Sequence, residues 1–348
     1  MNDLDDVGLL AAGDPGGMLG AAAALGDQCS KGYELGLKAS GFPDAEGIAS
    51  IALCGMGGSA VGGDVVRGLF ASRLGVPIEV VRNPVLPEFC ETHSLVVCTS
   101  YSGNTAETLS AFEEAARRGC RLIVVTSGGR IESRALELEV PVVKVPSGLQ
   151  PRAALGYLTL GLIGALESMG VIPHLASEVS ESVEVLGRLA SELGPESAAN
   201  RAKVLAARIG NRTPVIWGAD GLGAVAAMRF KTQFNENGKV PAWWSAMSEL
   251  DHNEIAAWGA GTGEKFFLIV LRHKGEHPSI SPRFALSIAL AKESGMESEE
   301  IWAEGSSPLA RFLSLVSYGD FTSVYSALSR GVDPTPVDVI ERLKHELG

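Results

Sequence analysis

Short apolar runs rich in β-branched residues alternate with Ala- and Leu-rich helical stretches along most of this chain, the signature of parallel strands joined by crossover helices. In the first half the runs fall at residues 51–54, 78–81, 95–98, 122–125 and 140–143, and a helix is expected over 20–37. Five strands with helices between them complete one doubly wound domain. A second series follows a helix-like stretch at 176–193, with runs at 214–217, 266–271 and 299–302. Its first run, Val215-Ile-Trp-Gly-Ala-Asp-Gly, echoes Ile51-Ala-Leu-Cys-Gly-Met-Gly, so the second half reads as a diverged copy of the first. Ile172-Pro173 interrupts helical sequence, which puts the expected boundary between domains 1–172 and 173–348. The length of 348 residues agrees, at about 150 residues per domain. The expected fold class is α/β, two doubly wound domains, each a parallel sheet flanked by helices.

Composition narrows the function classes. With 46% apolar and 20% charged residues the chain can build a sizeable core and is not disordered. Lys and Arg total 29 against 41 Asp and Glu, a formal charge of −12, which argues against nucleic acid and anionic membrane surfaces as partners. The most apolar stretch, 153–166, is cut by Glu167 well short of the roughly 18 residues a span requires and reads as a buried helix. The acidic start Met1-Asn2-Asp3-Leu4-Asp5-Asp6 is unlike a secretory or transit signal, so a cytoplasmic location is expected. Five cysteines (Cys29, Cys54, Cys90, Cys98, Cys120) form no C-x-x-C pair and are expected to be buried, reduced and idle.

Two turns can hold an anion. Gly55-Met56-Gly57-Gly58-Ser59-Ala60 follows a strand and opens a helix, where unpaired N–H groups and the helix dipole favour phosphate. Ser100-Tyr101-Ser102-Gly103-Asn104-Thr105 repeats the placement, and its three hydroxyls donate hydrogen bonds without a cation. A glycine turn alone is also a steric necessity, and a single Ser or Thr there is an ordinary helix cap. Three hydroxyls within six residues exceed what one cap uses. Both turns belong at the carboxyl edge of neighbouring parallel strands, where open α/β sheets bind ligands. The rival is a dinucleotide site, since Gly55-x-Gly57-x-x-Ala60 fits G-x-G-x-x-G/A. Against it, the second strand ends in Arg82 and Asn83 where an acidic ribose partner is required, and the hydroxyl cluster has no use there. No G-K-[ST] is present for a Walker A loop.

The densest polar patch of the second half runs from Asn235-Glu236-Asn237-Gly238-Lys239 through Trp243-Trp244 to Glu249-Leu250-Asp251-His252-Asn253-Glu254. A carboxylate among amides and aromatics can serve as a general base, and His252 titrates in the physiological range. The alternative for each residue alone is a solvated face or a satisfied core position. The remaining histidines make no zinc motif, and His273 with His277, four apart after a strand, reads as a solvated loop. Arg152, at the mouth of the buried helix, is either a structural ion pair or a fixed cation facing an oxyanion.

Taken in order, strand-Gly-Met-Gly-Gly-Ser, Ser-Tyr-Ser-Gly-Asn-Thr-x-Glu-Thr, Pro-Arg-x-Ala-Leu-Gly-Tyr, Asn-Glu-Asn-x-Lys and Asp-His-Asn-Glu resemble the bifunctional phosphoglucose/phosphomannose isomerases of the sugar isomerase (SIS) superfamily. The likeness spans about Ile51 to Lys344, with Gly238 and Asp251 standing where the family often has Ala and Asn. The resemblance implies two SIS-type domains and a homodimer with active sites at the subunit interface. It implies that Gly58, Ser59, Ser100, Ser102 and Thr105 bind the substrate phosphate, that Glu236 is the base between C1 and C2, and that Arg152 stabilises the enediolate. His252, reaching in from the partner subunit, or Lys344 would open the sugar ring, and Thr335 would complete the sugar site.

The residue types suit aldose–ketose interconversion of hexose 6-phosphates, which needs a carboxylate, an imidazole and a cation; no cofactor and no metal are expected. An enediol planar at C2 can be reprotonated on either face, so a small Thr335 that leaves room for C1–C2 rotation admits both glucose and mannose 6-phosphates. Two other classes are kept beside this one. A non-catalytic sugar-phosphate sensor would share the phosphate turns but has no need of Glu236, and a nucleotide-dependent oxidoreductase has no need of the second turn.

Overall fold

The computed structural model describes residues 3–259 and 261–347, the side chains of Lys344, His345 and Leu347 excepted. Its backbone divides into two compact units, one of Leu25–Glu184 with Ser307–Ala310, the other of Met1–Ala24, Val185–Ser306 and Arg311–Gly348.

The first unit is built on β1 (Ser50–Cys54), β2 (Ile78–Val81), β3 (Ser94–Ser100), β4 (Arg121–Thr126) and β5 (Val142–Lys144), all parallel, in the order β2-β1-β3-β4-β5. β1 and β3 are buried along their whole length, as strands covered by helices on both faces must be, which is why they read as unbroken apolar runs. The expected last strand starts two residues later than the run at 140, at Val142. The apolar stretch before Glu167 forms the buried helix Leu155–Ser168. Glycines set its packing on the helix Leu25–Lys38: a Cβ on Gly36 would lie 2.3 Å from Gly161 O, and one on Gly164 2.4 Å from Tyr33 O. At the end of that helix the buried Glu167 accepts from Tyr33 Oη at 2.6 Å and Leu175 N at 2.9 Å, and pairs with His174 Nδ1 at 2.9 Å.

The second unit repeats the arrangement with four strands, β6 (Thr213–Ala219), β7 (Trp243–Met247), β8 (Phe266–Arg272) and β9 (Glu297–Trp302), all parallel, in the order β7-β6-β8-β9. The sequence pattern does not predict β7, because residues 243–247 read as part of the polar patch. It is an edge strand whose Trp243 stays 54% exposed, so it lacks the buried run that betrays a central strand.

Residues 1–24 fall with the second sheet rather than with the N-terminal half. The contacts explain it: Asp5 pairs with the buried Lys203 at 3.3 Å, and Gly13 lies so close to Leu328 that a Cβ there would sit 2.9 Å from its Cδ2. The helix expected at 20–37 is accordingly two, Met18–Ala23 and Leu25–Lys38. The helix Ala176–Leu193 matches its expected span. Among the described residues no helix is long and apolar enough to cross a membrane. All five cysteines are buried and free, and burial pushes the Cys90 thiol up to about 12.

Candidate functional site

In the first unit both predicted turns sit at the carboxyl ends of adjacent strands, β1 and β3. Gly57 precedes the helix Gly58–Phe70 with φ 52° and ψ −129°, a conformation that favours glycine. The turns are joined directly: Tyr101 N donates to Ser59 Oγ at 3.2 Å. In the second turn the Ser100 and Thr105 hydroxyls lie 3.0 Å apart, and Gly103 N donates to Ser100 Oγ at 3.1 Å. Thr105 precedes the helix Ala106–Arg117 yet its side chain makes no capping bond, so the ordinary explanation for a threonine at that place does not apply. Ser59 and Ser100 are buried, Thr105 is half-buried and Ser102 is exposed.

Arg152 belongs to the same group. It lies in the short helix Pro151–Ala153, its side chain buried, and a Cβ on Gly58 would come within 3.4 Å of Arg152 Cα. The absence of a side chain at Gly58 therefore lets the backbone carrying Arg152 press against the first turn. Gln28 Nε2 steadies that short helix by donating to Ala153 O at 2.9 Å. The acidic partner a dinucleotide would require at the end of β2 is replaced by Arg82, which pairs with the buried Asp64.

Two supports in this unit had no reading from sequence. Tyr101 Oη donates to Pro146 O at 3.0 Å and accepts from Leu149 N at 3.0 Å, tying the second turn to the segment that leads to Arg152. The turn after β4 braces it from the other side, through Ser127 N donating to Tyr101 O at 3.1 Å and Ile131 N to Gly103 O at 2.9 Å. Here the approach is so close that a Cβ on Gly103 would lie 1.7 Å from Gly128 O. The Gly128-Gly129 pair after an apolar run was the visible signal for this brace.

The second unit holds Glu236, His252, Thr335 and the backbone of Lys344. Glu236 is half-buried at the last position of the helix Leu222–Glu236. The polar residues around it fasten this helix end: Asn235 Nδ2 donates to Val240 O at 2.9 Å, Asn237 Nδ2 to Ser323 Oγ at 3.0 Å, and Lys239 Nζ to Glu236 O and to Pro334 O, the latter at 2.8 Å. Deeper along the same helix the buried Arg229 and Gln233 both reach Asp320 Oδ1, at 3.2 and 2.6 Å. The Asn-Glu-Asn-x-Lys motif is thus one half-buried carboxylate with locking residues on either side.

His252 is exposed in the short helix Glu249–His252, and the loop is fixed on both sides of it. Asp251 accepts from Ser287 Oγ at 2.7 Å and lies 3.5 Å from Arg283, so its carboxylate is engaged with the helix Ser281–Glu293. Glu254 accepts from Trp217 Nε1 at 2.9 Å, from Trp258 Nε1 at 3.3 Å and from Ser245 Oγ. Trp217 and Ser245 are register partners on β6 and β7, which is how two strands reach one carboxylate. Thr335 follows Pro334 in the loop before the helix Asp338–Leu347, its N–H donating to Asp333 Oδ1 at 2.8 Å. Lys344 lies in that helix, with its side chain outside the described residues.

His273 departs from the solvated loop expected of it. Its ring turns inward, with Nε2 3.4 Å from where a Cβ on Gly223 would stand, and burial pushes the imidazole below its ordinary value. His277, by contrast, is exposed.

The family model of the bacterial phospho-glucose isomerase C-terminal SIS domain matches residues 198–347. A solved structure of a hypothetical protein from Thermus thermophilus superposes with a TM-score of 0.71 at 17% identity, over 97% of this chain and 91% of that one. Parallel sheets flanked by helices, glycine turns at the strand ends and these likenesses define an α/β protein of the SIS fold. The bifunctional phosphoglucose/phosphomannose isomerase of Caldicellulosiruptor bescii is 37% identical over 331 residues, covering 93% of this chain and 96% of its own. That of Aquifex aeolicus is 36% identical over 299 residues, covering 85% and 90%. The chain belongs to the bifunctional phosphoglucose/phosphomannose isomerase family.

Proposed function

We propose that this chain interconverts fructose 6-phosphate with glucose 6-phosphate and mannose 6-phosphate, an intramolecular oxidoreduction that passes through a cis-enediol. The observation that carries the reading is the bond from Tyr101 N to Ser59 Oγ, which holds two hydroxyl-bearing turns together at helix starts beside a buried arginine. Neutral hydroxyls and backbone N–H groups on Gly58, Ser59, Ser100, Ser102 and Thr105 suit a phosphate monoester.

In the forward direction Glu236 takes the proton from C2 of the open-chain aldose. The electron pair moves into a C1–C2 double bond, and the aldehyde oxygen becomes the enediolate oxygen that the Arg152 guanidinium stabilises. A proton passes from O2 to O1, and return of the carbon-bound proton to C1 as O2 becomes the carbonyl gives the ketose, so no electron leaves the substrate. The fixed helix end supports Glu236 in this role, because a base must be held within hydrogen-bond reach of the carbon it serves. His252 opens the ring. Its exposure on a loop anchored at Asp251 and Glu254 suits delivery to a partner subunit in a homodimer. In this reading the two sheets are two SIS domains of a cytoplasmic enzyme, with Thr335 and Lys344 completing the sugar site.

The test is fructose 6-phosphate incubated with the protein and the products separated. Glucose and mannose 6-phosphates are both expected with the natural chain. Glu236→Gln should still bind fructose 6-phosphate while turnover falls by about a thousandfold, within the range for losing a general base. Binding of fructose 6-phosphate without turnover by the natural chain would instead assign a non-catalytic sugar-phosphate-binding role.

A further inference from the structure

The N-terminal segment carries no recognisable motif, yet its turn at residues 14–17 stands against Thr335. The buried Asp14 accepts from Met18 N and Leu19 N, both at 2.8 Å, and Gly17 N donates to Asp14 O at 3.0 Å. These bonds, with Gly17 at φ 68°, hold Asp14-Pro15-Gly16-Gly17 as a tight turn before the helix Met18–Ala23. Gly16 in that turn stands directly against Thr335. A Cβ on it would lie 2.1 Å from Thr335 Oγ1, 2.5 Å from Cγ2 and 2.7 Å from Cβ. The backbone of Thr335 is tied from elsewhere: its N–H to Asp333, and the preceding Pro334 carbonyl to Lys239 Nζ, which also holds Glu236 O. The threonine side chain is therefore stopped by the N-terminal turn, while its backbone is linked through one ammonium to the helix end that carries the proposed base.

We propose that Gly16 is a specificity-determining positioning residue. By lacking a Cβ it sets where the Thr335 side chain stands, and with it how product divides between glucose and mannose 6-phosphates. The inference rests on the isomerase reading and adds to it that a segment outside both sheets governs the C2 outcome. Gly16 need not touch the sugar. Reprotonation on the second face requires rotation about C1–C2, and the room for that rotation depends on where Thr335 stands.

Fructose 6-phosphate turnover with both aldose phosphates quantified tests this in G16A, G20A, T335G and the double variant G16A/T335G. In G16A the added methyl must displace Thr335, and the mannose-to-glucose ratio should fall by about tenfold, the scale on which one methylene discriminates in a packed site, with fructose 6-phosphate binding retained. G20A lies nearby where an added Cβ meets nothing within 4 Å, and should keep the natural ratio. The double variant should match T335G alone, because the side-chain atoms that the new methyl would strike are gone. A G16A ratio within about twofold of the natural chain's, an equal shift in G20A, or a G16A effect that persists in the T335G background would each overturn the proposal. Should G16A fail to fold, the comparison of the double variant with T335G still decides. A natural chain that forms neither aldose phosphate would overturn the isomerase reading and this inference with it.

Discussion

The turn after β1 and the turn after β6 are the same backbone used twice. Gly57 has φ 52° and ψ −129°, and Gly221, at the matching place before the helix Leu222–Glu236, has φ 80° and ψ −132°. The strand orders around them correspond as well, β2-β1-β3-β4 against β7-β6-β8-β9. The side chains do not. Gly58 and Ser59 are answered by Leu222 and Gly223, so the copy carries neither the bare backbone of the first position nor the hydroxyl of the second. After the next strand, Ser100 and Thr105 are answered by a segment that holds the inward-turned His273. A glycine at a strand-to-helix turn is what the fold needs, while the hydroxyls around it are what an anion needs. In the second unit the proposed base, Glu236, sits at the other end of the helix.

That contrast can be broken experimentally. The largest effect is the loss of turnover in Glu236→Gln, which should leave substrate binding by the first unit untouched. Gly58→Leu, which brings the copy's residue into the first turn, would push against Pro151 O and the Arg152 backbone. It should raise KM for fructose 6-phosphate by about a hundredfold, a loss that a 1 Å misplacement can cause. Ser59→Ala removes the acceptor for Tyr101 N and one proposed phosphate donor. A tenfold rise in KM, roughly, and a loss of about 1 kcal/mol in urea unfolding are expected. The smallest effect belongs to the copy. Burial holds His273 below its ordinary 6.5, so the folded chain takes up this proton later than the unfolded chain does, and stability falls as pH drops through about 6.5. His273→Leu should flatten that part of the Tm profile between about pH 7.5 and 5.5, and an unchanged slope would remove His273 from the account.

Legibility followed burial. β1, β3 and β8 announced themselves because both faces are covered and nearly every residue is apolar. β7 did not, since an edge strand may expose two tryptophans and still pair correctly with β6. The two turns proposed to hold the phosphate were readable because glycines and hydroxyls cluster within six residues. The role of Tyr101 was hidden, for its partners Pro146 and Leu149 lie more than forty residues away. Asp320 was equally silent, a lone carboxylate in an apolar helix until Arg229 and Gln233 reach it.

Local order in the chain was enough to determine the strand–helix alternation, the twofold reuse of one turn and the clustering of the residue types proposed to serve the phosphate and the proton, because each depends on neighbours within a few positions. Only the tertiary structure decided that residues 1–24 join the second sheet, that Gly16 abuts Thr335, and that Lys239 links Pro334 to the end of the Glu236 helix. Those are contacts between segments far apart in sequence, set by packing and by where backbone carbonyls find donors, and no local pattern encodes them.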